Sequence, residues 1–273
     1  MGLFGKKKKE EHHEPEEQNH VGSFNGFVLL DAEEWDKEKF IADFKENWGI
    51  ELSETDENGK ELDSKDELLF AQAGKYNVMV GYIGSPVPGG EAEHWAGANF
   101  MWKEAVEVVR THKAQLIVTI FGGDDDLLEK GTLFVKAVCT ALRQNHAIAF
   151  YTDGVVFSPQ QYLDFSGMME DGGLPILNWI WYGIFADEKR AGIYTYGMRR
   201  FGKEEMEVIV DRENANLNDI RGFLLNITAY VLEEDVTLKD GETIGFSAEQ
   251  KLKITLSPGL GVHGNTLKIE YGE

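Results

Sequence analysis

The sequence predicts a mixed α/β protein of the α+β class, and three observations carry that assignment. Short β-branched apolar runs alternate with amphipathic stretches across residues 23–158. The run KAQLIVTIFGG, Lys113 to Gly123, is apolar at Leu116, Val118 and Ile120 and again at Ile117 and Phe121, as in a strand covered on both faces. Beyond Ser158 the texture changes to long aromatic and apolar runs bounded by turn residues, which points to an antiparallel sheet.

Taken in order, Phe27–Asp31 reads as the first strand. Ala32 to Trp48 follows as a helix, with Phe40, Ile41, Phe44 and Trp48 on one face and acids at its positive end. Leu68–Ala73 and Tyr76–Ile83 form a hairpin about Gly74-Lys75. A single helix is expected from Glu93 to Arg110, with Trp95, Ala98, Trp102, Ala105, Val106 and Val109 as its buried stripe. From Phe27 to Phe121 the order is therefore β-α-β-β-α-β, a ferredoxin-like βαββαβ N-terminal half. The helix from Asp124, with Leu127, Phe134, Val135, Val138 and Leu142, leads to a strand at Ala147–Tyr151. A crossover this long can return the chain parallel, so a right-handed βαβ unit extends the half.

Ser158-Pro159 opens a helix to about Met169, because Pro suits the first helical position. LPILNWIWYGIF and AGIYTYGMRRF read as long antiparallel strands, and Glu205–Val210 as another. Leu217, Ile220, Leu224, Ile227 and Val231 mark an amphipathic helix, and strands near Thr243, at Leu252–Leu256 and at Thr266–Tyr271 close an antiparallel-sheet-rich α+β half. The expected organisation is a charged, disordered tail at 1–22, an α/β half at 23–158 and an α+β half at 159–273, the two halves open to sharing one domain.

The formal charge of −21 sets limits on partners. It repels nucleic acid and anionic membrane, and favours cationic partners or plain solubility. Cys139 is the lone cysteine, which excludes an intrachain disulfide and suits a reducing, cytoplasmic compartment. The basic start is followed by EEHHEPEE where a secretory signal needs an apolar core. Leu174 to Phe185, the longest apolar run, is too short to span a bilayer.

No catalytic motif stands out. GLGVHG (Gly259, Gly261, Gly264) fits the spacing G-x-G-x-x-G, but no helix follows to meet a phosphate, so it reads as a loop. Asp124, Asp125 and Asp126 follow Gly122-Gly123 at a strand end, where open α/β sheets bind ligands. They would suit a hard cation, but Asp is also a preferred helix cap, and capping is the expectation. Glu91, Glu93 and His94 open another helix, where a carboxylate and an imidazole could form an acid–base pair. Between Asp31 and Glu67 fifteen acids face five lysines. Within that stretch Glu51, Glu54, Asp56, Glu57, Glu61, Asp63, Asp66 and Glu67 form a candidate acidic docking surface. No cofactor or metal ligand set is assigned.

Trp102 with His112-Lys113-Ala114, Leu174-Pro175 with Trp179, Thr195-Tyr196-Gly197-Met198 and Gly202 to Glu207 together resemble the bacterial domain-of-unknown-function family 4261, over most of residues 24–271. Leu224 to Val231 and Leu238 to Ile244 are similar to Suppressor-of-fused-like proteins. The resemblance implies an immunity role in which a bacterial toxin is neutralised, and it supplies no catalytic residues. Together with the charge, it leads to the expectation of a non-catalytic cytoplasmic protein that binds a basic protein, such as a toxin, through an acidic surface. The alternative is a hydrolase or metal-assisted enzyme at the loop near Asp124, drawing on Glu91, His94, Asp124, Asp125 and Asp126.

Overall fold

In the computed structural model, which describes residues 21–55, 60–61, 66–123, 126–152, 154–245 and 250–271, the first strand of the chain lies inside the first sheet. β1 (Phe24–Leu30) is hydrogen-bonded on one side to β4 (Ala114–Gly122) and on the other to β5 (Ala147–Thr152), both antiparallel. β2 (Leu68–Ala73), β3 (Tyr76–Ile83) and β6 (Val155–Phe157) complete the order β2-β3-β4-β1-β5-β6. Every neighbouring pair is antiparallel.

This order corrects the ferredoxin-like expectation. That fold needs β1 and β2 to run the same way with β3 between them. Here β4 takes the place beside β1, and β2 runs opposite to β1 at the sheet edge. The βαβ unit is corrected too: β4 and β5 do run in the same direction, joined by α4 (Leu127–Ala141), but β1 is inserted between them. Periodicity reports which segments are strands, whereas their order is fixed by which faces become buried together.

One face of this sheet carries Val28, Leu30, Leu116, Val118 and Ile120 against α4 and α1 (Lys37–Trp48). α4 buries Phe134, Val135, Val138 and Cys139 there, and α1 buries Phe40 and Phe44. The opposite face carries Leu29, Ala149, Tyr151 and Val156 against α2 (Glu91–Ala96) and α3 (Ala105–Val109). Caps mark the helix starts: Asp36 accepts from the Lys39 N–H at 2.8 Å, and Ser158 from the Gln161 N–H at 3.2 Å before α5 (Pro159–Ser166).

The single helix expected from Glu93 to Arg110 is two short ones. Asn99 breaks it, its Oδ1 accepting from the Met101 N–H at 3.0 Å and its amide donating to the Val156 carbonyl at 2.9 Å. A short polar side chain thus offers the backbone an alternative to the helical ladder. LPILNWIWYGIF also departs from expectation. Ile176–Trp179 is a one-turn helix, α6, and β7 begins only at Trp181 (Trp181–Ala186). Asn178 ties that turn down by donating to the Tyr162 carbonyl at 2.8 Å.

β8 (Arg190–Tyr196), β9 (Met206–Asp211), β10 (Thr243–Ile244), β11 (Leu252–Pro258) and β12 (Asn265–Ile269) join β7 in the order β10-β11-β12-β9-β8-β7. The β12–β9 pair is parallel and the others antiparallel, so this sheet is mixed. α7 (Leu217–Glu233) buries Ile220, Phe223, Leu224, Ile227 and Val231. The Tyr194 ring lies across Gly183, its register partner on β7, and against Gly261, and a Cβ on either glycine would stand within 2.2 Å of the ring. An aromatic covering a cross-strand glycine restores the packing that the glycine lacks.

The protein is thus α+β, with seven α-helices and two six-stranded sheets among the described residues. The sheets share one hydrophobic core: Phe24 of β1 meets Phe201 at 5.4 Å between ring centroids, and Phe201 meets Trp179 at 4.9 Å. Among the described residues no helix is long and apolar enough to cross a membrane. Residues 1–20, which hold most of the expected tail, lie outside the described residues.

Candidate functional site

The acidic stretch is distributed by the first sheet. Leu30 at the end of β1 pairs with Ala114 and Ala147, and Ile83 at the end of β3 pairs with Gln115. The end of β1, the end of β3 and the start of β2 therefore lie along one rim. Glu67 precedes β2, and its carbonyl accepts from the Tyr82 N–H at 2.8 Å. Glu33 and Glu34 follow β1 at the same rim. Burial first, then the charges of Glu33, Glu67 and Glu34, raises the Tyr82 phenol above its ordinary range. His146, just before β5, sits 2.9 Å from Asp31 and 3.7 Å from Glu34. Ile83, the next residue of β3 after Tyr82, is exposed and faces the other side of the sheet.

The remaining residues of the candidate docking surface divide. Glu54 is paired with Lys37 at 3.3 Å and Glu51 with Lys45, both lysines on α1. The pair with Lys45 holds the Glu51 carboxyl below the usual range. Ser53 bridges to Gln72, which lays this segment along the free edge of β2, and Glu61 bridges to Thr55. The Asp66 carbonyl accepts from the Trp35 indole at 2.9 Å. Asp56, Glu57 and Asp63 lie outside the described residues. Glu33 and Glu34 join Glu67 across a gap in sequence that only the strand order closes.

Of the alternative site, the described residues Glu91, His94 and Asp126 do not come together. Glu91 and His94 are exposed on α2, on one side of the first sheet, with His94 edge-on to Trp95. Asp126 caps α4 on the other side, accepting from the Glu129 N–H at 2.9 Å. Asp124 and Asp125 lie outside the described residues. Among the described residues no group of three or more His, Cys, Asp or Glu side chains is placed to hold a metal ion. The buried histidine is instead His112, whose Nε2 accepts from the Val87 N–H at 2.9 Å while Nδ1 faces the Val109 carbonyl. Both ring nitrogens are thus occupied by backbone, with Glu93 3.9 Å away.

Two glutamates that read as ordinary strand residues are the most deeply buried carboxylates among the described residues. Glu205 is 2% exposed, and accepts from the Gly197 N–H and the Thr195 hydroxyl, both at 2.8 Å. Burial pushes its carboxyl above the usual range, opposed by those hydrogen bonds. Glu207 is fully buried. It accepts from the Leu260 N–H at 2.9 Å and the Gly261 N–H at 2.8 Å, and pairs with Lys268 at 2.6 Å. The amides of the G-x-G-x-x-G loop therefore serve an internal carboxylate. Their signal was the spacing Glu205-Met206-Glu207, which puts both carboxylates on one face of a strand.

Around Glu205 the two sheets leave a pocket of about 80 Å³, lined by Ser23 just before β1 and Asn25 on it, by Tyr196, Arg199 and Arg200, and by Val262. Arg199 donates to the carbonyls of His263 at 3.2 Å and Asn265 at 3.1 Å. Arg200 is buried and donates to the Thr152 hydroxyl at 2.7 Å.

Residues 194–270 match the family described as a domain of unknown function, DUF4261. The chain carries a DUF4261 domain there. The match runs from Tyr194 on β8 to Glu270 just past β12, so Glu205, Glu207, Arg199 and Arg200 all belong to the DUF4261 domain, while Ser23 and Asn25 come from outside it. No curated protein and no solved structure matches the chain.

Proposed function

We propose that this protein is a non-catalytic, cytoplasmic binding protein of the immunity type, engaging a cationic protein partner such as a toxin. The observation that carries the reading is the rim of the first sheet, where the charges of Glu33, Glu67 and Glu34 act on Tyr82, while Ile83, next along β3, is exposed on the other face of the strand end. Three carboxylates near an aromatic side chain at a sheet rim, with an exposed aliphatic side chain at the same strand end, suit a partner that straddles the rim with lysines or arginines and a small apolar contact. Rim charges steer such a partner, and the apolar contact retains it. Glu51 and Glu54 are already neutralised by α1 lysines, so they add less than their number suggests.

The test is a pull-down from the native host at low and high salt, followed by binding kinetics. The variant Glu33→Lys, Glu34→Lys, Glu67→Lys is expected to slow association by about tenfold or more at low salt, with little change in dissociation. Ile83→Ala is expected to do the reverse and speed dissociation. Recovery of acidic partners alone, or an unchanged association rate, would refute the reading, as would turnover of a substrate by the purified protein.

A further inference from the structure

We propose that the pocket between the two sheets binds a small oxyanion, a carboxylate or a phosphate, held by Arg199 together with Asn25 and Ser23. Arg199 is fixed in place before any ligand arrives, because its Nη2 donates to the His263 and Asn265 carbonyls. Gly264 makes that placement feasible. Its φ is +81°, and a Cβ there would stand 2.5 Å from Nη2. The guanidinium therefore rests against the hairpin loop with no side chain beneath it. Its Nε and Nη1 groups make no hydrogen bond or ion pair with a described residue.

Nor is the neighbouring carboxylate a partner for those groups. The Glu205 oxygens are occupied by Gly197, Thr195 and the backbone N–H of Arg199. Among the described residues that line the pocket, Arg199 is thus a guanidinium whose Nε and Nη1 have no carboxylate partner, in a chain where 48 acids outnumber 27 lysines and arginines.

Arginine presents a planar fork of donors matched to carboxylate and phosphate oxygens. The Ser23 hydroxyl and the Asn25 amide line the same pocket and make no side-chain hydrogen bond with a described residue. The space of about 80 Å³ is several times the roughly 10–15 Å³ that one water requires. Because Arg199 is already held, binding does not have to order it. The site also draws on both parts of the chain, with Arg199 inside the DUF4261 domain and Asn25 outside it.

The experiment is calorimetric titration of the full chain with sodium phosphate, sodium acetate and disodium succinate, in chloride buffer of matched ionic strength. Saturable binding of at least one is expected, phosphate alone identifying a phosphate site and the two carboxylates a carboxylate site. Asn25→Asp changes an exposed side chain to a near-isosteric anion, leaves the Arg199 contacts intact, and is expected to weaken binding at least about tenfold. Arg199→Gln should weaken it similarly, whereas the remote Arg221→Gln should not. A response that never saturates, or equal affinity in Asn25→Asp, overturns the proposal.

Discussion

Glu207 offers the sharpest test of how the second sheet is held together. Its carboxylate collects the Leu260 and Gly261 amides and the Lys268 ammonium, while Lys268 also reaches the Pro258 carbonyl at 2.9 Å and the Thr266 hydroxyl at 3.1 Å. Glu207→Gln keeps one acceptor oxygen for the amides but turns an NH₂ group toward the ammonium. Breaking a buried charge pair from one side costs roughly 3–5 kcal/mol. Lys268 is 26% exposed and keeps two neutral acceptors, so the lower end, about 3 kcal/mol, is expected. Lys268→Met leaves the carboxylate with only its two amides and should cost a similar amount. The double variant should lose less than the sum of the singles, with a coupling of at least about 1 kcal/mol. Urea denaturation followed by tryptophan fluorescence measures all four proteins. A Glu207→Gln cost under about 1 kcal/mol, or additivity within about 0.5 kcal/mol, would refute the bridging role given to this residue.

Glu205 predicts a pH dependence of definite sign. Its folded value lies above the ordinary 4.5, so the folded state holds the proton more tightly, and stability falls as pH rises from about 4.5 through the folded value. Glu205→Gln should flatten that slope in urea melts across the same window; an unchanged slope would contradict the assignment. Trp181, 6% exposed, should cost about 3–5 kcal/mol when cut to Ala, and half-buried Trp102 distinctly less, as read from denaturation midpoints. Asp126→Ala should cost about 1 kcal/mol through the lost cap on α4, and a neutral result would remove its capping role.

Much of the element content was legible, because it is local. The β4–α4–β5 succession, the α7 stripe and the Ser158-Pro159 helix start follow from periodicity and caps. The misreadings have physical causes. Asn99 and Asn178 each use a side chain to bind backbone far along the chain, and such partners leave no mark within a window of neighbours. The insertion of β1 between β4 and β5 depends on pairings between distant segments. The candidate rim suffered similarly: the acids of residues 31–67 were visible as a run, but which of them share a surface was set by sheet order. Glu205 and Glu207 were passed over because a charged residue in a strand usually faces water.

The central place of β1 also bears on how the chain is made and how it finds its fold. Within the first sheet it precedes both of its partners in the chain and must wait for them, Leu30 for Ala114 and Phe27 for Tyr151. Until then an apolar strand with Val28, Leu29 and Leu30 is exposed on a growing chain with both edges open. Such non-local pairing slows folding and exposes sticky intermediates. The acidic segment that follows β1 directly becomes useful in this light. Its crowd of carboxylates would keep nascent copies apart while the strand is still unpaired.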